Sequence, residues 1–181
     1  MNDSVNLKPF IKYNLKILFI ALNPPQKSNE IGHYFSRVPN FWNQLFLSGL
    51  ITRKVNKETA DEIIFGSNNY NYKNWNYGIT DLVPNIIETS SSKVNPTKIH
   101  VNDLKNKIIE YKPKNAIILH SKVRNKLYNK DTSMKKGSIG KILIDEGCHT
   151  NFFLVPFPHG DSTPQEVKIN LYKEIKSSID N

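Results

Sequence analysis

The chain holds one cysteine in 181 residues, Cys148. That excludes an intramolecular disulfide, a cysteine-built zinc site and a thiolate-held iron–sulfur cluster. Cys148 stands near Phe152 and Phe153 and is given no role. Long apolar runs are missing too: nothing approaches the roughly 18 residues of a membrane-spanning helix. Met1-Asn2-Asp3-Ser4 also lacks the basic-then-apolar layout of a secretory signal. The expectation is a cytoplasmic protein with no membrane partner. The five histidines, at 33, 100, 120, 149 and 159, show no ligand spacing with a neighbouring carboxylate or cysteine, so neither metal nor cofactor is expected. No strand candidate runs into a glycine-rich phosphate loop, which disfavours a nucleotide-binding hydrolase. Acidic residues are outnumbered: 16 Asp and Glu face 25 Lys and Arg, a net charge of +9. Such a balance favours a polyanionic partner such as nucleic acid, although a lysine- and asparagine-rich composition makes a chain basic by itself. The basic residues are dispersed, which fits a folded surface patch better than a tail.

At 181 residues and 38% hydrophobic content, one domain over 1–181 can bury a substantial core. Leu15 to Leu22 is a nearly continuous apolar run, as a strand buried on both faces of a parallel sheet requires. Asn23-Pro24-Pro25 ends it, since proline cannot donate to the ladder. Phe41, Trp42, Leu45 and Phe46 have helical spacing, with Gly49 where a C-terminal cap belongs. Residues 56 to 65 read as helix and Ser67 to Tyr77 as a polar loop. Residues 77 to 83 read as a second strand ended by Pro84. Val101, Leu104, Ile108 and Ile109 mark a helix over 100–111, stopped before Pro113. Residues 115 to 119 are a third strand, followed by a helix from Ser121 to about Tyr128, and residues 152 to 156 are a fourth. Thr163-Pro164-Gln165-Glu166 carries a helix-start signature with Thr163 as the cap, and the last helix would bury Val167, Leu171 and Ile175. Alternating strands and helices predict an α/β fold, a three-layer αβα sandwich on a central, mostly parallel four-stranded sheet, with its site outside the carboxyl ends of the strands.

Asn23, Asp81 and His159 lie in loops that leave those ends. Taken singly, each has a plain reading as a turn former, a loop cap or a solvated turn residue. Taken together the loops form a pattern. Ala21-Leu22-Asn23-Pro24-Pro25, Gly32-His33-Tyr34-Phe35 and Asn40-Phe41-Trp42 are followed by Gly78-Ile79-Thr80-Asp81-Leu82-Val83 and Leu154-Val155-Pro156-Phe157-Pro158-His159-Gly160-Asp161-Ser162. In order and placement these resemble the uracil-DNA glycosylase superfamily, in its mismatch-specific uracil and thymine branch, over roughly residues 15 to 175. The resemblance implies hydrolysis of the N-glycosidic bond of a base flipped out of DNA, performed by a monomer on duplex DNA. Asn23 would hold the attacking water, the Leu22 backbone and Phe35 would bind the base, and Asp81 would read its pairing edge. The 159–162 loop, with Gly160, Asp161 and Ser162, would enter the helix. Ser121 and Lys122 would clamp a phosphate. A lyase step is not expected, because no lysine sits in an assignable Schiff-base motif.

The departures from the pattern matter as much. Pro25 replaces the family's glycine, and Phe157 stands where related branches carry asparagine or histidine. Asp161 stands where a bulky apolar wedge is common. His159 lies two positions beyond the catalytic histidine of other branches and is carried over as a candidate for stabilising the departing base. Asp81 replaces asparagine or lysine. An ionised carboxylate only accepts hydrogen bonds, so it suits the exocyclic amine of a cytosine and repels the O4 of uracil or thymine; a protonated one reverses this. The expected substrate therefore tilts to a modified cytosine, such as the glucosylated 5-hydroxymethylcytosine that bacterial anti-phage members of the superfamily remove from viral DNA. Tyr70, Tyr72, Trp75 and Tyr77 would contact the appended sugar, unless that stretch is merely an asparagine-rich surface loop. The alternatives are base-excision repair of uracil or thymine paired with guanine, and a catalytically silent DNA-binding module.

Overall fold

The computed structural model describes residues 4–127, 137–141, 149–160 and 162–181. One sheet contains β1 (Ile17–Ala21), β2 (Tyr77–Asp81), β3 (Asn115–Ile118), β4 (Gly137–Lys141) and β5 (Asn151–Leu154), in the order β2-β1-β3-β5-β4. The four strands expected from apolar runs are all parallel to one another. β4 adds an antiparallel edge that the sequence reading did not count. Its Gly137-Ser138-Ile139-Gly140-Lys141 has two glycines and one apolar residue, which is no strand signal.

Period-2 alternation sends the side chains of each parallel strand to two cores. On one face Phe19, Ile79, Ile117 and Phe153 pack with Phe41 and Leu45 of α2 (Pro39–Leu47), Ile64 of α3 (Ala60–Ile64) and Leu171, Tyr172 and Ile175 of α6 (Gln165–Asp180). On the other, Leu18, Ile20, Ala116, Ile118 and Phe152 meet Leu104 and Ile108 of α4 (Lys98–Tyr111) and Val123 of α5 (Ser121–Leu127). This is the three-layer αβα sandwich. A further short helix, α1 (Gln26–Ile31), follows β1. Its Gln-Lys-Ser-Asn-Glu-Ile sequence has no apolar period, so no helix is legible there.

The helix ends follow local chemistry. Gly49, at φ 73°, closes α2 with its N–H on the Phe46 carbonyl and the Leu50 N–H on the Leu45 carbonyl, the paired bonds of a Schellman cap. α4 opens on Thr97 and His100 as a capping box and stops at left-handed Lys112, just before Pro113. Two expectations need correction. The 56–65 helix is confined to Ala60–Ile64. α6 starts one residue late: Pro164 is itself extended and caps the helix in place of Thr163. The buried stripe is consequently Lys168, Leu171, Tyr172 and Ile175, and Val167 is exposed. The burial of Lys168 has a cause, since its Nζ donates to the Phe157 carbonyl at 2.6 Å. The expected helix end at Tyr128 and Cys148 lie outside the described residues. Among the described residues no helix is long and apolar enough to cross a membrane.

Candidate active site

The carboxyl ends of the parallel strands are level. Ala21 pairs with Asp81, and the ladder runs on through Leu82 N–H to the Ala21 carbonyl, Val83 N–H to Leu22, Leu119 N–H to Ile20 and Val155 N–H to Ile118. The loops that follow enclose a cavity of about 650 Å³, inside the roughly 300–1,000 Å³ range of small-molecule sites. Leu22, Asn23, Phe35, Asp81, His159, Gly160 and Ser121 all line it, so most of the residues singled out from sequence come together.

Asn23 lies two residues past β1. Its Nδ2 donates to the carbonyls of Pro24 (3.1 Å), Ile86 (3.1 Å) and Glu88 (2.7 Å). Three acceptors around one end identify that end as the nitrogen, which leaves Oδ1 as the open acceptor. The β1 and β2 exit loops are thereby stitched together, helped by Glu88 N–H on the Pro24 carbonyl at 3.1 Å.

Asp81, the last residue of β2, is buried. Its Oδ2 accepts from the Tyr34 hydroxyl at 2.8 Å, and its Oδ1 has no partner among the described residues. Burial pushes the carboxyl up to about 7, against the opposing pull of the Tyr34 hydrogen bond and the Lys107 charge. The same burial, with the neighbouring carboxylate, holds the Tyr34 phenol well above its ordinary range. Tyr34 is in turn fixed by fully buried Asp61. One Asp61 oxygen accepts the Tyr34 N–H at 2.7 Å, and the other meets His33 Nδ1 at 2.9 Å and the Glu62 N–H at 3.0 Å.

Phe35 is both core and cavity wall. It stacks on Phe41 with centroids 4.0 Å apart and sits 6.2 Å from Phe157. Its φ of 53° lies in the left-handed region, which costs a non-glycine residue about 1–3 kcal/mol and tends to mark functional loops.

Several phosphate-contact expectations change. The Lys122 ammonium is held by the carbonyls of Ser91, Ser92 and Val94, so it ties down the 91–94 turn and is no free phosphate clamp. Lys27, Arg37 and Arg124 line the cavity instead. Ser162 is exposed and off the cavity wall, and Asp161 lies outside the described residues. Gly160, at φ 73°, forms an uncrowded tip. Behind it the loop is rooted: the Pro158 carbonyl accepts from Gln44 and Gln165, and the Phe157 carbonyl accepts from Lys168.

The aromatic 67–77 loop is on the wrong side for a sugar contact. Tyr77 is the first residue of β2 and pairs with Ile17, the first of β1, so the loop arrives at the amino ends of the strands, and none of its aromatic residues lines the cavity. Tyr72 and Trp75 pack on each other and under Lys16 and Lys176.

Sequence reasoning missed His120 as well as Tyr34 and the Asp61 pair. His120 follows β3 as directly as Asn23 follows β1, and the same strand-end rule would have found it. It lines the cavity, and its Nδ1 accepts the Lys122 N–H at 3.1 Å. Burial, and then the Lys122 charge, lower its basicity.

The family model of the uracil DNA glycosylase superfamily matches residues 8–166. That stretch includes every strand among the described residues and every cavity-lining residue except Leu7, and the chain belongs to this superfamily. DNA glycosylase chemistry, the hydrolytic excision of a base from DNA, comes with that membership at the level of the family. Curated proteins give no match to the chain.

Proposed function

We propose that the chain is a monofunctional DNA glycosylase in which Asn23 Oδ1 holds the water that attacks C1′ of a flipped nucleotide. The observation that carries this reading is the three-carbonyl clamp on the Asn23 amide. An amide so held cannot rotate its NH2 toward the cavity, so it offers a pre-oriented acceptor, and orientation is what an attack on an already cationic sugar needs. Phe35 stacks on the base, and Arg37, Arg124 and Lys27 meet the phosphates around the cavity mouth.

Asp81 sets the base. With Oδ2 taken by Tyr34, Oδ1 is left for the pairing edge, and the buried oxygen needs a partner. Ionised, it accepts from the exocyclic amine of a cytosine. Protonated, it donates to O4. A carboxyl near 7 makes the cytosine reading the favoured one above neutrality. A cavity of about 650 Å³ is roomier than a bare pyrimidine requires, which favours a substituted ring, with glucosylated 5-hydroxymethylcytosine of viral DNA as the substrate and antiviral defence as the setting. The appended sugar would face Lys27, Ser28 and Thr89 on the α1 side of the cavity.

The test is a panel of duplexes bearing cytosine, glucosylated 5-hydroxymethylcytosine, uracil opposite guanine, or thymine opposite guanine, each treated with alkali after incubation. Breakage at the glucosylated base is expected. Breakage at uracil or thymine alone would establish the repair reading in its place, and intact strands throughout, with binding retained, would leave a silent DNA-binding module.

A further inference from the structure

We propose that Asp61 is a positioning residue for base selection: from outside the cavity it fixes the Tyr34 backbone, and through Tyr34 it sets both the Asp81 carboxyl and the Phe35 ring. This rests on the glycosylase reading above, in which those two groups read the pairing edge and stack on the base.

Asp61 is the second residue of α3, fully buried and off the cavity wall. Burying a carboxyl is costly unless its oxygens are met, and here both are. One accepts the Tyr34 N–H at 2.7 Å, and the other accepts the Glu62 N–H at 3.0 Å and meets His33 Nδ1 at 2.9 Å. Backbone N–H groups can only donate, so the carboxyl is an acceptor at both oxygens. The Glu62 bond is local to α3. The Tyr34 and His33 bonds leave that helix and tie it to the loop between α1 and α2.

That loop carries two walls of the pocket. With its N–H held, Tyr34 sends its hydroxyl to Asp81 Oδ2 at 2.8 Å, which leaves Oδ1 for the base. The next residue, Phe35, stands at φ 53°, and its carbonyl accepts the Val38 N–H at 2.9 Å. A left-handed non-glycine residue persists only where its surroundings over-determine it. Asp61 fixes the chain one residue before Phe35, and the Val38 bond fixes it directly after. Pairing edge and stacking face are thus set from one buried point. Without that anchor the Tyr34 hydroxyl leaves Asp81, and the carboxyl loses a bond that favours its ionised form. A protonated carboxyl no longer rejects O4.

The experiment is a double-mutant cycle on wild type, Asp61→Ala, Tyr34→Phe and the double variant. The ¹³C signal of the Asp81 carboxyl is titrated with pH in each protein, free of DNA. Tyr34 and Lys107 of α4 bear on that carboxyl, and the cavity wall adds Lys27, Arg37, Glu88, His120, Arg124 and His159. All but Tyr34 are common to the set. Removing the Asp61 charge by itself would move the midpoint down, so a rise reports the lost Tyr34 contact. The midpoint should rise in Asp61→Ala and in Tyr34→Phe, and the double variant should rise no further than Tyr34→Phe. In single turnover, preference for glucosylated 5-hydroxymethylcytosine over uracil opposite guanine should fall about 10-fold in Asp61→Ala, with no further fall in the double variant. Asp61→Asn, whose one acceptor oxygen can serve Tyr34 or Glu62 but not both, carries the cycle with a smaller effect if the alanine variant fails to fold. A midpoint that stays or falls in the Asp61 variants, or effects of Asp61 and Tyr34 that simply add, would overturn the role. A coupled rise in proteins that release no base from any duplex defeats the glycosylase reading alone. Unchanged base preference in a protein that turns over defeats the Asp61 assignment alone.

Discussion

Asn23 and Asn71 are held by the same device at opposite ends of the sheet. Each turns its amide NH2 onto three backbone carbonyls, those of Pro24, Ile86 and Glu88 for Asn23, and those of Ile64, Ser67 and Trp75 for Asn71. Asn71 is buried with its Oδ1 sealed and unpartnered, whereas Asn23 is half-buried on a cavity wall. The clamp is therefore a way of fixing a loop, and access to the other end of the amide is what converts fixation into a site. The surroundings repeat the contrast. Around the 67–77 loop the polar groups pair with one another, Tyr72 and Lys73 with Asp180 and Tyr77 with the Leu50 carbonyl. At the strand carboxyl ends Asn23, Asp81 and His120 each retain one open hydrogen-bonding atom.

Substituting the two asparagines should break the comparison most sharply. Asn23→Ala is expected to lower single-turnover base release by roughly 10²–10³-fold, the effect of losing one pre-oriented polar group, while duplex affinity measured by anisotropy barely moves. Asn71→Ala should do the converse. It orphans buried carbonyls at a cost of about 1–3 kcal/mol in urea unfolding, and activity per folded molecule should be unchanged.

Asp81→Asn comes next, and its sign is fixed by the carboxyl near 7. An unfolded aspartate titrates near 3.9, so the folded state binds the Asp81 proton more tightly. Stability due to this group is complete below about 4 and is lost as pH rises through about 7. Asp81→Asn has no such dependence. Its melting temperature should gain on wild type across that window and hold the gain above it, by an amount corresponding to at most a few kcal/mol. The variant should also favour uracil, because its amide offers a donor to O4.

Tyr34→Phe is a smaller perturbation of the same end. Removing the hydroxyl takes away the hydrogen bond that holds Asp81 down, so the Asp81 midpoint in a pH–rate profile should move upward. A midpoint that stays or falls would show that Tyr34 does not govern the carboxyl. The smallest effect belongs to the far end. Lys73 pairs with Asp180 in the open, and Lys73→Ala should leave the unfolding midpoint unchanged at physiological salt, as exposed ion pairs generally do.

The strands were legible because a strand covered on both faces must be apolar at nearly every position, as Ile17 to Ala21 and Ala116 to Ile118 are. Proline punctuation also read correctly at Pro24, Pro84 and Pro113. β4 and α1 were not legible, since neither carries a period of its own. The α6 register was missed because Lys168 looks like a surface residue until the Phe157 carbonyl is placed beside it. At the site, Asn23 and Asp81 could be found from strand ends alone. The pairing of Asp81 with Tyr34, the diversion of Lys122 to three carbonyls and the position of the 67–77 loop all depend on contacts between segments far apart in sequence, which no local pattern encodes.

The rooting of the Phe157–Gly160 loop has a mechanical consequence. Gln44 from α2 and Gln165 and Lys168 from α6 grip two successive carbonyls at its base, while a Cβ added at Gly160 would meet nothing within 4 Å among the described residues. A load applied at the tip passes through those grips into two helices packed on one face of the sheet. The loop is a lever whose fulcrum is the pair of carbonyls at Phe157 and Pro158.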